Sequence, residues 1–422
     1  MLCYIAKAAG AFMDTDWDFL PELKELKNAF DSGGVEECIG LLERKRDEWK
    51  HILLNVAVTG NSGVGKSSFI NAIRRLTAED EGAAPVGVKE TTLDIQSYSH
   101  PCNPFLKFWD LPGVGTNRYP RETYLSDIDV DRYDFFLLIT ASRFTENDTW
   151  LGRELYIRHK KYFFVRTKIG VDISNNKKSH PKTHDEDAVV REIRDSTEEH
   201  LSADGCLDVP VFLIDNYKLQ KFEFDQLEHR LIEEFPNLKR SSLVLSLQAT
   251  GKEMIQLKVA ELRSKMWQLA GLSAAVAAIP IPGVSVAFDL GIVAKQSDFY
   301  CTQLGLDETS LKRYAKLTST DYLLLKSIVD RSLGFKVIGV EGVKKMVEHL
   351  SRRATPHLLT TAAFKEGSRF IPLIGSFIAA PVSFGGTYYA LKLVLDKMES
   401  VALEVVTAAA ESATAVEDSD DD

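Results

Sequence analysis

The chain has 422 residues, of which 45% are hydrophobic, and a formal net charge of −10. This length allows roughly two or three domains with substantial cores, and the acidic charge argues against a protein that coats nucleic acid. Five scattered cysteines without CxxC spacing argue against a disulfide framework or a zinc site, and they indicate a reduced, cytoplasmic protein. The apolar amino terminus is interrupted by Lys7, so we expect no secretory signal.

The pattern of the chain changes near residue 50. Residues 1–50 predict an N-terminal helical segment rich in charges. Short apolar runs then alternate with helical patterns, and five of them predict strands, at 52–60, 105–110, 133–140, 162–167 and 209–215. Runs that are apolar throughout are typical of parallel strands covered by helices on both faces. We therefore predict an α/β domain over residues 51–236.

A glycine-rich turn follows the first predicted strand and satisfies the pattern G-x-x-x-x-G-K-[ST]. Glycines allow successive N–H groups to turn inward around phosphate oxygens, and the N-terminus of the following helix adds its positive dipole end. Lys66 should reach the β- and γ-phosphates of a nucleotide, and the Ser67 hydroxyl should supply one ligand to Mg²⁺. The residues predicted to bind nucleotide here are Gly60, Asn61, Ser62, Gly63, Val64, Gly65, Lys66, Ser67 and Ser68.

A second phosphate-site pattern, WDLPGVG, ends the next strong strand at residues 109–115. Asp110 is placed to hold the water shell of Mg²⁺, and the Gly113 amide is placed to sense the γ-phosphate. Asp-Leu-Pro-Gly can also be a simple turn, but its position after the glycine-rich turn favours function. Val114 follows, and its apolar side chain cannot orient an attacking water, so another residue must position the nucleophile.

The polar segment at residues 85–95 suits a switch loop. A threonine hydroxyl or carbonyl there would complete the Mg²⁺ shell once a γ-phosphate is present. Glu90 is the carboxylate able to polarise a water molecule, and a solvated connector is the alternative interpretation.

Five stretches together carry a resemblance to a known family: the glycine-rich turn, FWDLPGVG, residues 133–148, FFVRTK and LDETSLKR. Over most of its length the chain resembles the immunity-related, interferon-inducible GTPases, and Lys66 is typical of their GKS type. The resemblance implies an α/β P-loop, Ras-like G domain with an all-α helical domain built from N- and C-terminal segments. It also implies GTP and GDP as ligands with Mg²⁺, nucleotide-dependent self-association, and action at intracellular membranes such as those that enclose pathogens.

The same resemblance assigns roles in the switch loop. A glutamate matching Glu90 is implicated in hydrolysis in that family, and a threonine matching Thr92 belongs to its magnesium-sensing switch. The predicted catalytic residues are therefore Lys66, Glu90 and Thr92. The predicted magnesium ligands are Ser67, Thr92 and Asp110.

The pattern that reads guanine is incomplete. GTPases use [NT]-K-x-D, whose carboxylate accepts hydrogen bonds from the base, but here Thr167 and Lys168 are followed by Ile169 and Gly170. Losing such a charge-assisted pair costs on the order of 2 to 4 kcal/mol, which predicts retained nucleotide binding with relaxed guanine selectivity. If the strand ends early, the next carboxylate, Asp172, is able to swing in; strand alternation would otherwise displace it by more than about 6 Å and leave it as a solvated loop residue. The predicted base-site residues are Thr167, Lys168, Asp172, Asp215 and Asn216.

After residue 236 strand-like runs vanish, and residues 237–414 predict a C-terminal helical domain. Two uncharged stretches lie between Lys265 and Asp289 and between Arg369 and Lys392, each long enough to span a bilayer if continuous. Prolines and glycines interrupt both, so buried hairpins and peripheral membrane contact are both open interpretations. The acidic residues 415–422 predict a disordered tail.

These observations predict a cytoplasmic, Mg²⁺-dependent GTPase that assembles when loaded and associates peripherally with intracellular membranes. Gly170 makes a nucleotide-binding scaffold with little hydrolysis the first alternative. A small-molecule kinase with the same P-loop is disfavoured because no arginine-rich lid is apparent, and a purely structural membrane-remodelling protein is the remaining alternative.

Overall fold

The computed structural model describes residues 47–87, 94–203, 205, 209–277, 284–333 and 383–419, with isolated positions between 25 and 44. Six strands form one sheet in the order β2-β3-β1-β4-β5-β6, and only β2 and β3 pair antiparallel. The strands are β1 Leu54–Thr59, β2 Gln96–His100, β3 Asn103–Asp110, β4 Phe135–Thr140, β5 Lys161–Arg166 and β6 Val211–Leu213.

The five predicted parallel strands are confirmed, and β2 is an addition. Every residue of β1 and β4 is buried, as expected for central strands covered on both faces. The sequence of β2, QSYSH, is polar and mostly exposed, because β2 is an edge strand with one neighbour. It therefore has no apolar run by which it could have been predicted.

Helices occupy the connections between strands and most of the described residues after them. The α-helices whose first and last residues the structure describes are α1 Lys66–Ile73, α2 Tyr124–Asp127, α3 Glu146–Ile157, α4 Ile169–Ser179, α5 Glu186–Ala203, α6 Phe224–Glu233, α7 Asn237–Ser246, α8 Lys252–Ala277, α9 Val284–Gln303, α10 Glu308–Thr318, α11 Tyr322–Leu333 and α12 Ser383–Ser419.

The chain divides into two compact units. One contains the sheet and consists of Trp49–Met254, Lys312–Thr320 and Ala409–Asp422. The other consists of Met1–Glu48, Ile255–Leu311 and Asp321–Ala408. The described elements of this second unit are helical, as predicted for a helical domain assembled from both parts of the chain.

Helix α7 lies in the sheet-containing unit, past the boundary predicted at residue 236. The Ser242 hydroxyl donates to the Trp49 carbonyl at 2.8 Å, and Asn103 Nδ2 at the start of β3 donates to Ser246 Oγ at 2.9 Å. Both hydrogen bonds are buried, so α7 packs at the start of β3. The loss of strand-like runs located the last strand but not this helix that packs beside the sheet.

In the helical unit, the apolar spacing by fours and threes predicts one buried face for helix α8, formed by Ile255, Val259, Leu262, Met266 and Leu269. The first four are buried and Leu269 is half-buried. Helix α12 continues to Ser419, so the prediction of a disordered tail is wrong for 415–419, while 420–422 lie outside the described residues. The alanine-rich sequence before the acidic residues contains no proline or glycine to end the helix.

Parts of the two uncharged stretches, at 278–283 and 369–382, lie outside the described residues. Among the helices that the structure does describe, none combines the length and the apolar character needed to cross a bilayer.

Candidate nucleotide-binding site

The glycine-rich turn connects β1 to α1 and passes close to a neighbouring strand. Gly60 has φ 147°, and a Cβ at this position would lie 2.0 Å from the carbonyl oxygen of Ile139 in β4. Gly65, directly before α1, has φ 96°. Glycine is therefore required at both positions, at Gly60 because of the close approach and at Gly65 because of its left-handed backbone.

Lys66 is the first residue of α1 and is only 7% exposed. Its Nζ donates to the carbonyls of Gly60 at 2.9 Å and Asn61 at 3.1 Å. The loop thus curls around the ammonium group, which places the charge where the phosphates of a nucleotide would lie along the loop.

Ser67 and Asp110 bring the two phosphate-site patterns together. The Ser67 hydroxyl donates to Asp110 Oδ2 at 2.8 Å, and Asp110, the last residue of β3, is 2% exposed. Oxygen donors of this kind, a hydroxyl with a carboxylate behind it, fit Mg²⁺, which prefers oxygen ligands and retains several waters. The residues present therefore suit the predicted ion.

The segment after Asp110 packs against the glycine-rich turn. A Cβ on Gly113 would lie 3.0 Å from the Gly60 carbonyl oxygen, so these backbones are nearly in contact. Two side chains hydrogen-bond to the backbone of this segment. Tyr124 Oη donates to the Pro112 carbonyl at 2.8 Å, and Asn147 Nδ2 donates to the Val114 carbonyl at 3.1 Å. The Gly113 backbone is thus held beside the glycine-rich turn, and the role of its amide in sensing a γ-phosphate stays a prediction.

Two predicted catalytic residues, Glu90 and Thr92, lie outside the described residues. Their roles in hydrolysis and in Mg²⁺ binding stay predictions.

Three predicted base-site residues are bonded to the glycine-rich turn itself. Thr167 Oγ1 donates to the Val64 carbonyl at 2.6 Å and Lys168 Nζ to the Gly63 carbonyl at 2.7 Å. Asn216 Nδ2 donates to the Gly65 carbonyl at 3.1 Å. The loops after β5 and β6 therefore hydrogen-bond to three consecutive carbonyls, those of residues 63, 64 and 65, in the glycine-rich turn, which is called the phosphate loop below.

Asp172 lies on a helix and not on an extended strand. Strand β5 ends at Arg166 and α4 begins at Ile169, so the strand ends early and the displacement expected from strand alternation does not apply. Asp172 Oδ2 accepts a hydrogen bond from Arg166 at 2.6 Å. Burial lowers the pKa of Arg166, and the Asp172 carboxylate opposes that shift. The hydrogen bond orients the Asp172 carboxylate towards Arg166.

Asp215, two residues after the end of the short strand β6, lies nearer to Gly170, the residue that interrupts the guanine-reading pattern. Its Oδ2 accepts a hydrogen bond from the backbone N–H of Gly170 at 3.2 Å, and its side chain is largely buried. The sequence predicted Asp215 near the base but did not predict its contact with Gly170, because the two residues belong to different strand ends.

Sequence reasoning missed one group beside the loop. Asp148 closes a capping box with Thr145 at the start of α3, and Asn61 Nδ2 donates to Thr145 Oγ1 at 3.5 Å. Burial raises the pKa of Asp148, while the Thr145 donors and the charge of Lys66 lower it by less. The spacing Thr-x-x-Asp in TEND was the signal that could have located it.

The chain matches the family model of the interferon-inducible GTPases over residues 21–352. The chain belongs to the interferon-inducible GTPase family. This interferon-inducible GTPase is 34% identical over 384 residues to Interferon-inducible GTPase 5 of Rattus norvegicus, an alignment that covers 91% of this chain and 81% of the relative. It is also 34% identical over 355 residues to Interferon-inducible GTPase 1 of Mus musculus, covering 84% and 83% of the two chains. The predicted family and the predicted GTPase class are thereby confirmed.

A third relative, T-cell-specific guanine nucleotide triphosphate-binding protein 2 of Mus musculus, is 32% identical over 376 residues. That alignment covers 89% of this chain and 86% of the relative.

Within the part of this interferon-inducible GTPase that the structure describes, no group of three or more His, Cys, Asp or Glu side chains forms a metal centre of its own.

Proposed function

We propose that this interferon-inducible GTPase binds GTP with Mg²⁺ and hydrolyses it to GDP and phosphate. The observation that carries the proposal is the contact between Ser67 and Asp110 at 2.8 Å, directly beside a loop that encloses Lys66. Phosphoryl transfer to water requires positioning and charge stabilisation more than covalent chemistry by the protein. These residues supply both.

Each residue has a separate part in this reaction. Lys66 exchanges the carbonyls of Gly60 and Asn61 for phosphate oxygens and opposes the negative charge that develops on the leaving group. Ser67 and Asp110 hold Mg²⁺, which when bound offsets the charge of the β- and γ-phosphates. The Gly113 amide donates to the γ-phosphate, and Glu90 orients the attacking water, since Val114 has no polar group for that purpose.

Phosphate release from the purified full-length chain tests this function. We expect Mg²⁺-dependent release with GTP, and release at the level of the buffer blank for Lys66→Ala. Lys182→Ala removes an exposed lysine and is the matched control, expected to behave as the unmodified chain. A chain that binds no nucleoside triphosphate in the presence of Mg²⁺ would refute the proposal.

A second candidate is a nucleotide-binding scaffold with little hydrolysis. Gly170 and Val114 favour it, because neither supplies the polar group found at its position in the patterns that read guanine and orient water. The two candidates differ in one measurement. Phosphate release at the blank level, with GTP still bound to the chain, would select the scaffold.

We further propose that guanine selectivity is weaker than in a GTPase with an aspartate at position 170. Glycine offers no acceptor for the N1–H and amino group of guanine, whereas the phosphate contacts do not depend on the base. The ratio of GTP to ATP affinity measures this selectivity directly. A GTP-to-ATP affinity ratio equal to that of relatives with a complete [NT]-K-x-D pattern would contradict the proposed weaker selectivity.

Assembly and membrane contact complete the proposal. The resemblance to immunity-related GTPases supports self-association upon GTP binding and action in the cytoplasm at pathogen-containing or other internal membranes, by peripheral contact. Light scattering with a non-hydrolysable GTP analogue, compared with GDP, tests the assembly. Lys344 and Lys345 belong to a basic cluster in the sequence that suits anionic lipid. Flotation of the unmodified chain with anionic liposomes, compared with a variant in which both lysines are replaced by alanine, tests the membrane contact. Tubulation of membranes independent of nucleotide would instead favour a structural membrane-remodelling protein.

A further inference from the structure

The carboxylate of Asp215 lies beside the residue that interrupts the guanine-reading pattern. Its Oδ2 accepts a hydrogen bond from Gly170 N at 3.2 Å, and its Oδ1 accepts one from Tyr217 N at 2.9 Å. The residue is 7% exposed, so this carboxylate is held in place by the backbone at both oxygens. A buried carboxylate with this arrangement presents its remaining lone pairs in a defined direction.

The same carboxylate occupies the space in which a side chain at position 170 would begin. A Cβ built on Gly170 would lie 2.6 Å from Asp215 Oδ2, closer than such atoms approach one another. Strands β5 and β6 pair in parallel with Arg166 opposite Leu213, which brings the two following loops together. Glycine at 170 and aspartate at 215 are therefore sterically linked, because any larger residue at 170 forces the Asp215 side chain to rotate.

The other polar candidates at this edge are engaged elsewhere. Asp172 is paired with Arg166 at 2.6 Å, and the Asn216 amide donates to the Gly65 carbonyl. Thr167 and Lys168 donate to the phosphate loop, and neither carries a carboxylate. Asp215 is thus the carboxylate held directly against Gly170, whereas the carboxylate of Asp172 is oriented towards Arg166.

We propose that Asp215 supplies part of the base reading that an aspartate at position 170 would give, so that the chain keeps a preference for guanine, although a weaker one than a GTPase with the complete pattern. This inference rests on the proposed nucleotide binding and specifies its base. Guanine presents two adjacent donors, N1–H and the 2-amino group, which match a carboxylate with two acceptor oxygens. Adenine presents an acceptor at N1, and xanthine replaces the amino group by a carbonyl, so both are disfavoured opposite a carboxylate.

The decisive variant is Asp215→Asn, whose amide keeps one acceptor and gains a donor. The donor suits the 2-carbonyl of xanthine and not the 2-amino group of guanine. In the full-length protein with Mg²⁺, we expect the GTP affinity to fall about 10- to 30-fold and the affinity for xanthosine triphosphate to rise, so that the preference reverses. A ratio measured on one protein is insensitive to a general loss of folded material.

Two further carboxylates serve as comparison. Asp195→Asn changes an exposed aspartate on α5 and is expected to retain the preference for GTP. Asp172→Asn tests the carboxylate that the sequence suggested. This variant is also expected to bind GTP more tightly than xanthosine triphosphate. A shift in Asp172→Asn, or an unchanged ratio in Asp215→Asn while Mg²⁺-GTP is still bound, would overturn the assignment of Asp215 but leave the proposed function intact.

Restoring the usual aspartate supplies an independent test. Gly170→Asp alone should not bind GTP more tightly than the unmodified chain, because its Cβ displaces Asp215. The double variant Gly170→Asp with Asp215→Ser removes the collision and should regain at least about tenfold over Asp215→Ser alone. Tighter GTP binding by Gly170→Asp alone would contradict the steric link. Failure of the unmodified chain to bind any triphosphate would refute both proposals.

Discussion

Ser67 and Asp110 are 43 residues apart in sequence and joined by a hydrogen bond of 2.8 Å. The contact follows from the sheet, since β1 and β3 are parallel neighbours with Val58 opposite Asp110. Parallel pairing places the carboxyl ends of both strands at one edge, where ligands of open α/β sheets bind. The glycine-rich turn and the Asp110 carboxylate therefore meet at the same point.

The first prediction concerns this pair. Asp110→Asn should raise the Mg²⁺ concentration required for half-maximal GTP binding about 10- to 100-fold, because the group that orients Ser67 and the metal's waters loses its charge. Titration of Mg²⁺ at fixed GTP measures the change. Asp131→Asn, at a carboxylate whose side chain is 87% exposed, is the control. Identical Mg²⁺ dependence in both variants would show that Asp110 does not contribute to the metal site.

The second prediction concerns the link between the base loop and the phosphate loop. Thr167→Val keeps the side-chain shape but removes the donor to the buried Val64 carbonyl, at a cost of about 1–3 kcal/mol in free energy of unfolding. GTP affinity should fall with it, because the loop loses a positioning contact. Thr407→Val removes an equivalent hydroxyl from an exposed helix face, and its effect should be near zero. Denaturant unfolding with and without GTP measures both variants, and equal stabilities would contradict the assigned role.

The third prediction concerns a buried ion pair behind the phosphate loop. Arg75 follows α1 and donates to Glu228 of α6 at 2.8 Å, with both side chains almost fully buried. Glu228→Gln removes the charge of the buried partner that accepts from the guanidinium and should destabilise the protein by about 3–5 kcal/mol. Glu233→Gln on the same helix breaks an exposed pair with Arg230 and should cost less than about 1 kcal/mol. Comparable losses in the two variants would contradict the role of burial.

The fourth prediction concerns pH. Burial raises the pKa of Asp148 above its ordinary value of 3.8, so in the window above pH 3.8 the folded state retains a proton that the unfolded state has lost. Stability therefore falls as pH rises through that window and levels off above the raised pKa. Asp148→Asn does not titrate, so the stability of the unmodified chain relative to this variant should decrease over the same window. Denaturant unfolding at a series of pH values measures the difference, and a constant difference would contradict the prediction.

Much of the phosphate site could be predicted from the sequence, because its signals are local. The glycine positions, Lys66 and Ser67 lie within eight consecutive residues, and the strand before them is a continuous apolar run. Asp110 likewise ends an apolar strand. Residues this close along the chain keep their relation in any fold that forms the strand and helix.

Other features depended on contacts between distant segments. The polar edge strand β2 carries no apolar pattern, and helix α7 belongs with the sheet through hydrogen bonds to Trp49 and Asn103. Neither the pairing of β2 with β3 nor the packing of α7 on the sheet follows from the spacing of apolar residues along the sequence.

By itself the sequence determined the family, the phosphate-binding turn and the central parallel strands, because each depends on the order and spacing of neighbouring residues. Only the tertiary structure decided which carboxylate faces the gap at Gly170. It placed Asp172 against Arg166 and Asp215 against Gly170, since the pairing of β5 with β6 brings together loops that are 45 residues apart along the chain.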